Sequence, residues 1–273
     1  MGSASKRKWN EERHGGRTGT VHTGMTVDPA VGSIPVVRIP AVYHVGTMDP
    51  RECGTHGDYE GPCLSVSRCP DAWRRIARLG NAPEHRLLKG DGMFLDILTL
   101  KKVPRLLDDV LDWGGRNGWC RTASIWRAHV EDAETGDTLL LDSPGFQEAL
   151  TDADGDRDAV SRVEVPVATG RLNELFPALS ACDDATDAVI LAWAMHNPDV
   201  ADRLDGVWWA ERYDPDALSA PRGGIFPDRL GQWRRTHAPP DAGDDERPLP
   251  GTPLAIRLPP EPVGEPEAQE ARP

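Results

Sequence analysis

The chain has 273 residues, of which 38% are hydrophobic, and a formal net charge of −13 at pH 7. Residues 1–35 carry five Lys/Arg against three Asp/Glu and residues 237–273 carry three against eight, so most of the negative charge lies between these two segments. An acidic body of this kind lacks the broad positive field of non-specific nucleic-acid binding, and bulk association with DNA or RNA is not expected. No apolar run reaches the length of a membrane span and no apolar segment follows the basic residues near the start, which excludes a spanning helix and a secretory signal and points to a cytoplasmic protein without membrane contact. Five cysteines in such a chain fit reduced thiols better than a disulfide framework.

The first segment, 1–35, is rich in Gly, Ser, Thr, Arg and Lys without apolar periodicity and reads as a flexible N-terminal tail. Pro35 to Val45 is rich in β-branched residues and punctuated by proline, which predicts a strand or strand pair with His44 at its end. A polar, Gly-rich loop from Met48 to Gly61 leads to a short strand around Leu64 to Ser67. Pro70 to Leu79 has proline at the first helical position, an acid in the first turn, and Trp73, Ile76, Ala77 and Leu79 at helical spacing, so it predicts a helix that stops at Gly80.

Gly92 to Leu100 alternates as a strand does, and Val103 to Trp113 carries the i, i+3, i+4 pattern of a helix ended by Gly114-Gly115. Ser124 to Glu131 and Thr138 to Leu141 flank the turn-like segment 133–137 and read as a hairpin. A second helix runs from a cap at Asp183 or Asp184 to Met195 and closes at Asn197-Pro198. Gly206 to Ala210 is a strand, and Ala217 to Phe226 a strand or turn broken by proline. Segment 237–273, dominated by Pro, Asp, Glu and Ala, reads as a disordered C-terminal tail. Strands and helices mix without βαβ alternation, which predicts an α+β fold in one domain, 36–236, with a largely antiparallel, split sheet and flanking helices.

Several familiar motifs fail on inspection. Asp152 to Asp158 has the acids of a calcium loop, but Arg157 stands where the turn needs glycine and Val163 where the loop needs its bidentate acid, so it reads as a solvated acidic turn. Cys53, His56, Cys63 and Cys69 offer four zinc ligands in a short window, at intervals that match no common knuckle or ribbon. Walker, dinucleotide Gly-x-Gly-x-x-Gly, His-Glu-x-x-His and Gly-x-Ser-x-Gly patterns are all absent from the sequence.

What remains is a constellation of residues in two distant blocks. His44 lies beside Gly46 and Thr47, where glycine allows close approach of a ligand to the backbone. Ser65 and Ser67 project to one face of a strand. Trp73 offers a flat aromatic face. Downstream, Trp208 and Trp209 send one indole to each side of their strand, Glu211 shares a face with Trp209, and Arg222 in a Pro-Arg-Gly-Gly turn suits a bidentate grip on phosphate or carboxylate.

His44-Val45-Gly46-Thr47, followed by a Gly-rich loop and by Tyr59-Glu60-Gly61-Pro62-Cys63-Leu64-Ser65-Val66-Ser67 with a helix behind it, resembles the amino-terminal half of the ADP-ribosyltransferase-like superfamily. There a His-Gly-Thr strand precedes a Gly-Leu-Tyr-Phe-x-x-Ser strand and a helix. Asp205-Gly206-Val207-Trp208-Trp209-Ala210-Glu211 is similar to the closing Asp-Gly-Ile strand of the RES-domain NAD-degrading branch. The resemblance implies NAD as substrate, His44 on the NAD ribose with Gly46 and Thr47 beside it, Ser65 or Ser67 as auxiliary pocket residues, and Trp73 where relatives stack a tyrosine on nicotinamide. It further implies Glu211 as the carboxylate on the ribose 2′-hydroxyl, with Arg222 on the pyrophosphate. Departures are that valine separates His44 from Gly46 and that tryptophan replaces tyrosine. The expectation is therefore a toxin-like, bacterial NAD-consuming transferase or NAD glycohydrolase, with the acceptor unspecified and a cognate inhibitor protein as a partner. Two other readings stand beside it: a catalytically silent binding or interaction module of bacterial mobile-element type, and a small zinc-stabilised module built on Cys53, His56, Cys63 and Cys69.

Overall fold

The computed structural model describes residues 33–49, 61–131, 138–211, 219–236 and 251–257. Cys53, His56, Tyr59, Glu60, the turn 133–137 and the segments 1–32, 237–250 and 258–273 lie outside the described residues. The chain opens with strands β1 (Ser33–Arg38), β2 (Ala41–Val45) and β3 (Leu64–Ser67), then helix α1 (Pro70–Ile76). Strands β4 (Glu84–Leu88) and β5 (Met93–Asp96) and helices α2 (Ile97–Lys101) and α3 (Pro104–Arg116) follow. A separate unit of β6 (Cys120–Glu131), β7 (Thr138–Ser143), α4 (Phe146–Asp152) and β8 (Val160–Ala168) comes next. Helices α5 (Gly170–Leu175) and α6 (Thr186–His196) lead to β9 (Gly206–Trp209), β10 (Arg222–Ile225), β11 (Arg234–Thr236) and β12 (Thr252–Arg257).

The fold is α+β: a nine-stranded sheet in the order β11-β4-β2-β3-β10-β9-β5-β1-β12 and a three-stranded sheet in the order β7-β6-β8. All pairings are antiparallel except β5 with β9. Alternation along the strands sends side chains to two cores. One face, with Ile34, Val36, Leu95, Val207 and Trp209, packs against α3 and α6. The other gathers Val37, Val42, Leu64, Val66, Phe94, Trp208 and Ile225 around Trp233. Trp208 and Trp209 thus sit on opposite faces, each 2% exposed, and Trp208 meets Phe94 edge-on at 5.6 Å.

The helices follow their burial. Every residue from Ala188 to Ala194 of α6 is buried, so this helix is apolar all round, whereas α3 buries Leu106, Val110 and Gly114 and turns its aspartates to solvent. Gly114 and Gly115 fall inside α3, not after it, because Gly114 is a contact point: a Cβ there would lie 2.6 Å from Val189 Cγ1 on α6. The predicted strand 92–100 stops at Asp96 and becomes α2. Asp96 caps that helix, with Oδ1 accepting from Thr99 N at 3.0 Å and Oδ2 from Thr99 Oγ1 at 2.7 Å.

The limits of the body also differ from 36–236. Strand β1 begins at Ser33 with Ile34 fully buried, and residues 252–257, read from composition as part of a disordered tail, pair along six positions with β1. The Pro-Arg-Gly-Gly segment is a strand, not a turn. Its glycines answer to crowding, since a Cβ on Gly223 would come within 2.4 Å of both the Trp208 ring and the Val207 carbonyl. Replacing Gly223 by alanine is expected to destabilise the protein by about 1–3 kcal/mol through overpacking; a urea midpoint unchanged from wild type would show that the indole simply moves aside.

Candidate functional site

The strands carrying the two motif blocks are neighbours, β2-β3-β10-β9, although the blocks lie far apart in sequence. Register sets a lateral row across them: Tyr43 opposite Ser67, Ser67 opposite Arg222, and Arg222 opposite Trp209. Directly opposed residues share a face, so Ser67, Arg222 and Trp209 line one side of the sheet. Helix α1 brings Trp73 to the same place, and the Arg222 guanidinium carbon lies 5.7 Å from the Trp73 ring and 5.1 Å from the Trp209 ring. Glu211, two residues beyond Trp209, accepts from Arg222 Nη2 at 3.2 Å. Trp73, Glu211 and Arg222 therefore come together, with a cation flanked by indoles and held against a partly exposed carboxylate.

Ser67 and Ser65 have other duties. Ser67 Oγ, fully buried, donates to the Pro221 carbonyl at 2.8 Å and accepts from Cys69 N at 3.0 Å, which ties the end of β3 to the start of β10. The Ser65 carbonyl receives His44 Nδ1 at 2.7 Å.

His44 is not brought to this cluster. It is opposite His85 on β4, with the two buried rings 6.1 Å apart and inclined by 12°, and alternation from Tyr43 sends it to the other side of the sheet from Ser67 and Arg222. Its Nε2 meets the Thr47 carbonyl at 2.5 Å. Two carbonyl partners both require a donor, a demand that only the doubly protonated ring meets in full. β2 and β3 share a single bridge, Tyr43 with Ser67, and the imidazole continues the connection where the ladder ends. Gly46, at φ +133°, supplies the backbone turn that folds the Thr47 carbonyl back onto His44. Thr47 itself is exposed, and its Oγ1 accepts from Asp49 N at 3.2 Å.

A partly solvated network that the sequence reading missed supports the cluster. Trp209 Nε1 donates to Asp187 Oδ2 at 3.4 Å, and Asp187 Oδ1 accepts from Lys101 Nζ at 2.7 Å. The only sequence signal for Asp187 is an acid in the first turn of α6, which a helix N-terminus favours on its own account. Elsewhere, Arg127 clamps Asp142 with two bonds, at 2.6 and 2.9 Å, and reaches Asp184 at 3.2 Å. These bonds joining the small sheet to the start of α6 push the Arg127 pKa up, with the Asp142 hydrogen bond the largest cause.

Of the four thiol and imidazole groups considered for zinc, Cys63 belongs to the main core and Cys69 to a small cluster with Ala72 and Ala220. Among the described residues no group of three or more His, Cys, Asp or Glu is arranged to hold a metal ion. Burial pushes the Cys69 thiol up to about 11, against a weaker opposing pull from Arg68. Cys69 is therefore a neutral thiol in the folded protein at pH 8 and should react with a disulfide reagent only as the chain unfolds. Rapid labelling of Cys69 in the native state, mapped by mass spectrometry, would contradict its placement. The linkage has a matching sign: the unfolded chain releases this proton first, so the contribution of Cys69 to stability is lost as pH rises from about 9 toward 11.

A groove of ≈ 850 Å³ between α3 and the small sheet is lined by Asp112, Arg116, Cys120, Arg121, Glu164 and Pro166, away from the Arg222 cluster. No family model, curated protein or solved structure matches the chain. Fold and site define an α+β protein with a mostly antiparallel nine-stranded sheet, a three-stranded sheet, and an arginine–glutamate pair set between two indoles on the larger sheet.

Proposed function

We propose that this chain is an ADP-ribosyltransferase-like enzyme that consumes NAD by cleaving its nicotinamide–ribose bond, through hydrolysis or transfer. The observation that carries the reading is the convergence of Trp73, Glu211 and Arg222 from motif blocks that become adjacent strands. In the reaction the C1′–N bond breaks, its electron pair leaves with nicotinamide, and positive charge grows on the ribose. A carboxylate beside the sugar stabilises that charge, which is the role given to Glu211. Trp73, 5% exposed, serves as a wall of the site more than as an open stacking platform. Arg222 braces Glu211 in the described arrangement, in place of the pyrophosphate grip expected from sequence.

A second reading is favoured by His44 and Ser67, whose polar atoms are spent on contacts within the fold. On that reading the chain is a silent interaction module of mobile-element type. Incubation with NAD and measurement of nicotinamide release separates the two. The enzyme reading expects turnover by wild type that Glu211→Gln lowers by about 10²–10³-fold, with His44→Ala lowering thermal stability alongside activity. No release by any of the three proteins would leave the interaction module standing, whereas equal release by all would remove Glu211 and His44 from the chemistry.

A further inference from the structure

Arginine has large rotational freedom, and a single N–H···O contact does little to fix it. Here the guanidinium is confined by two rings, Trp73 at 5.7 Å and Trp209 at 5.1 Å, and its Nη2 is left aimed at Glu211. The Trp209 ring is directly opposite Arg222 in the ladder, so its orientation about the last side-chain torsion decides which surface the cation meets. That torsion is broad for an indole, and a bond to its N–H selects one orientation. Asp187 makes that bond at 3.4 Å while its other oxygen is anchored by Lys101 at 2.7 Å. The order of dependence runs from α2 and α6 through the indole to the cation and then to the carboxylate.

We propose that Asp187 is a positioning residue for Glu211, acting through Trp209 and Arg222; this rests on the NAD-consuming reading for its catalytic consequence. Lys101 and Asp187 are partly solvated, with side chains 40% and 22% exposed, so loss of their ion pair takes little stability from the fold. Its effect falls on the geometry at Glu211. Asparagine at 187 removes the charge that holds Lys101 and leaves one oxygen where the indole N–H and Lys101 Nζ now use two, so one of these two donors loses its acceptor and the anchored arrangement is lost.

The test is Asp187→Asn and Trp209→Phe, singly and together, in the full chain. Nicotinamide release from NAD should show kcat reduced by about 10- to 100-fold in Asp187→Asn, with KM within about twofold and no further loss in the double variant, because both changes break one bond. A parallel measurement needs no activity: the Arg222 Nε–H resonance, shifted by the flanking rings, should move toward the position of a solvated arginine in Asp187→Asn. If wild type turns over NAD but kcat is unchanged in Asp187→Asn, the positioning role is overturned. If wild type releases no nicotinamide, the enzyme reading falls, and the resonance alone decides whether Asp187 sets Arg222: an unmoved signal overturns it and a moved one upholds it. Where Trp209→Phe fails to fold, Asp187→Asn decides by the same two readouts.

Discussion

Asp205→Ala should destabilise the protein by about 3–5 kcal/mol, the cost of removing one partner from a buried ion pair. Asp205 is 3% exposed. Its Oδ1 lies 2.5 Å from Lys89 Nζ and its Oδ2 accepts from Met93 N at 2.8 Å. Its backbone is equally committed, with the N–H donating to the Met93 carbonyl at 2.7 Å and the carbonyl accepting from Phe226 N at 2.8 Å. One residue thus joins the start of β5, the start of β9 and the end of β10, and Lys89 extends the link to Gln232 Oε1 at 2.8 Å. Against a total stability of about 5–15 kcal/mol for a protein of ordinary kind, the loss shifts the urea midpoint far more than any surface change. Tryptophan fluorescence during denaturation reads it directly, with the slope expected to stay constant. A loss below about 1 kcal/mol would mean that water replaces the carboxylate at little cost, contrary to its burial. Asp205→Asn, which keeps an acceptor for Met93 but strands the Lys89 charge, should fall between wild type and Asp205→Ala.

Glu211→Gln should lower nicotinamide release by about 10²–10³-fold, the range for removing one electrostatic stabiliser of a transition state, while leaving the denaturation midpoint close to wild type. Glutamine keeps the size of the side chain and an oxygen that can accept from Arg222, so the brace at 3.2 Å survives. On the proposed NAD-consuming reading, what disappears is the negative charge that would face the developing oxocarbenium ion. Glu211 is partly exposed, with 30% of its side chain open to solvent, so its removal from the ion pair costs the fold little. Rates within about threefold of wild type would remove Glu211 from the chemistry.

The α+β class and the largely antiparallel sheet were legible because β-branched runs, helical periodicity and adjacent tryptophans are local signals; the N-cap expected at Asp183 or Asp184 falls instead on Ala185, which makes no side-chain cap bond to α6. Trp208 and Trp209 fall on opposite faces as their adjacency requires. Other features depended on distant partners. Pro221, Gly223 and Gly224 look like turn punctuation, yet Gly223 is small because an indole lies against it in a sheet. Strand β8 was hidden by Pro166, which a sheet edge tolerates. Whether His44 and Glu211 share a face is decided by register across β2, β3, β10 and β9, and no short-range pattern encodes it. Asp205 was read as the opening of a motif strand, but its carboxylate works as a clamp on Lys89, a partner 116 positions away. Asp187 was invisible for the opposite reason, since a first-turn acid has a sufficient local explanation.

Strand β12 bears on how this protein is handled. Its neighbours in sequence are prolines and acids, and a shortened version trimmed on compositional grounds at residue 236 would discard Leu254 and Ile256 together with the backbone partners of Ser33 to Arg38. The remaining molecule would present β1 as a bare, mostly apolar ribbon, ready to stitch itself to the next copy. Poor solubility of such a truncated form would report the missing border strand and say nothing against the rest of the fold.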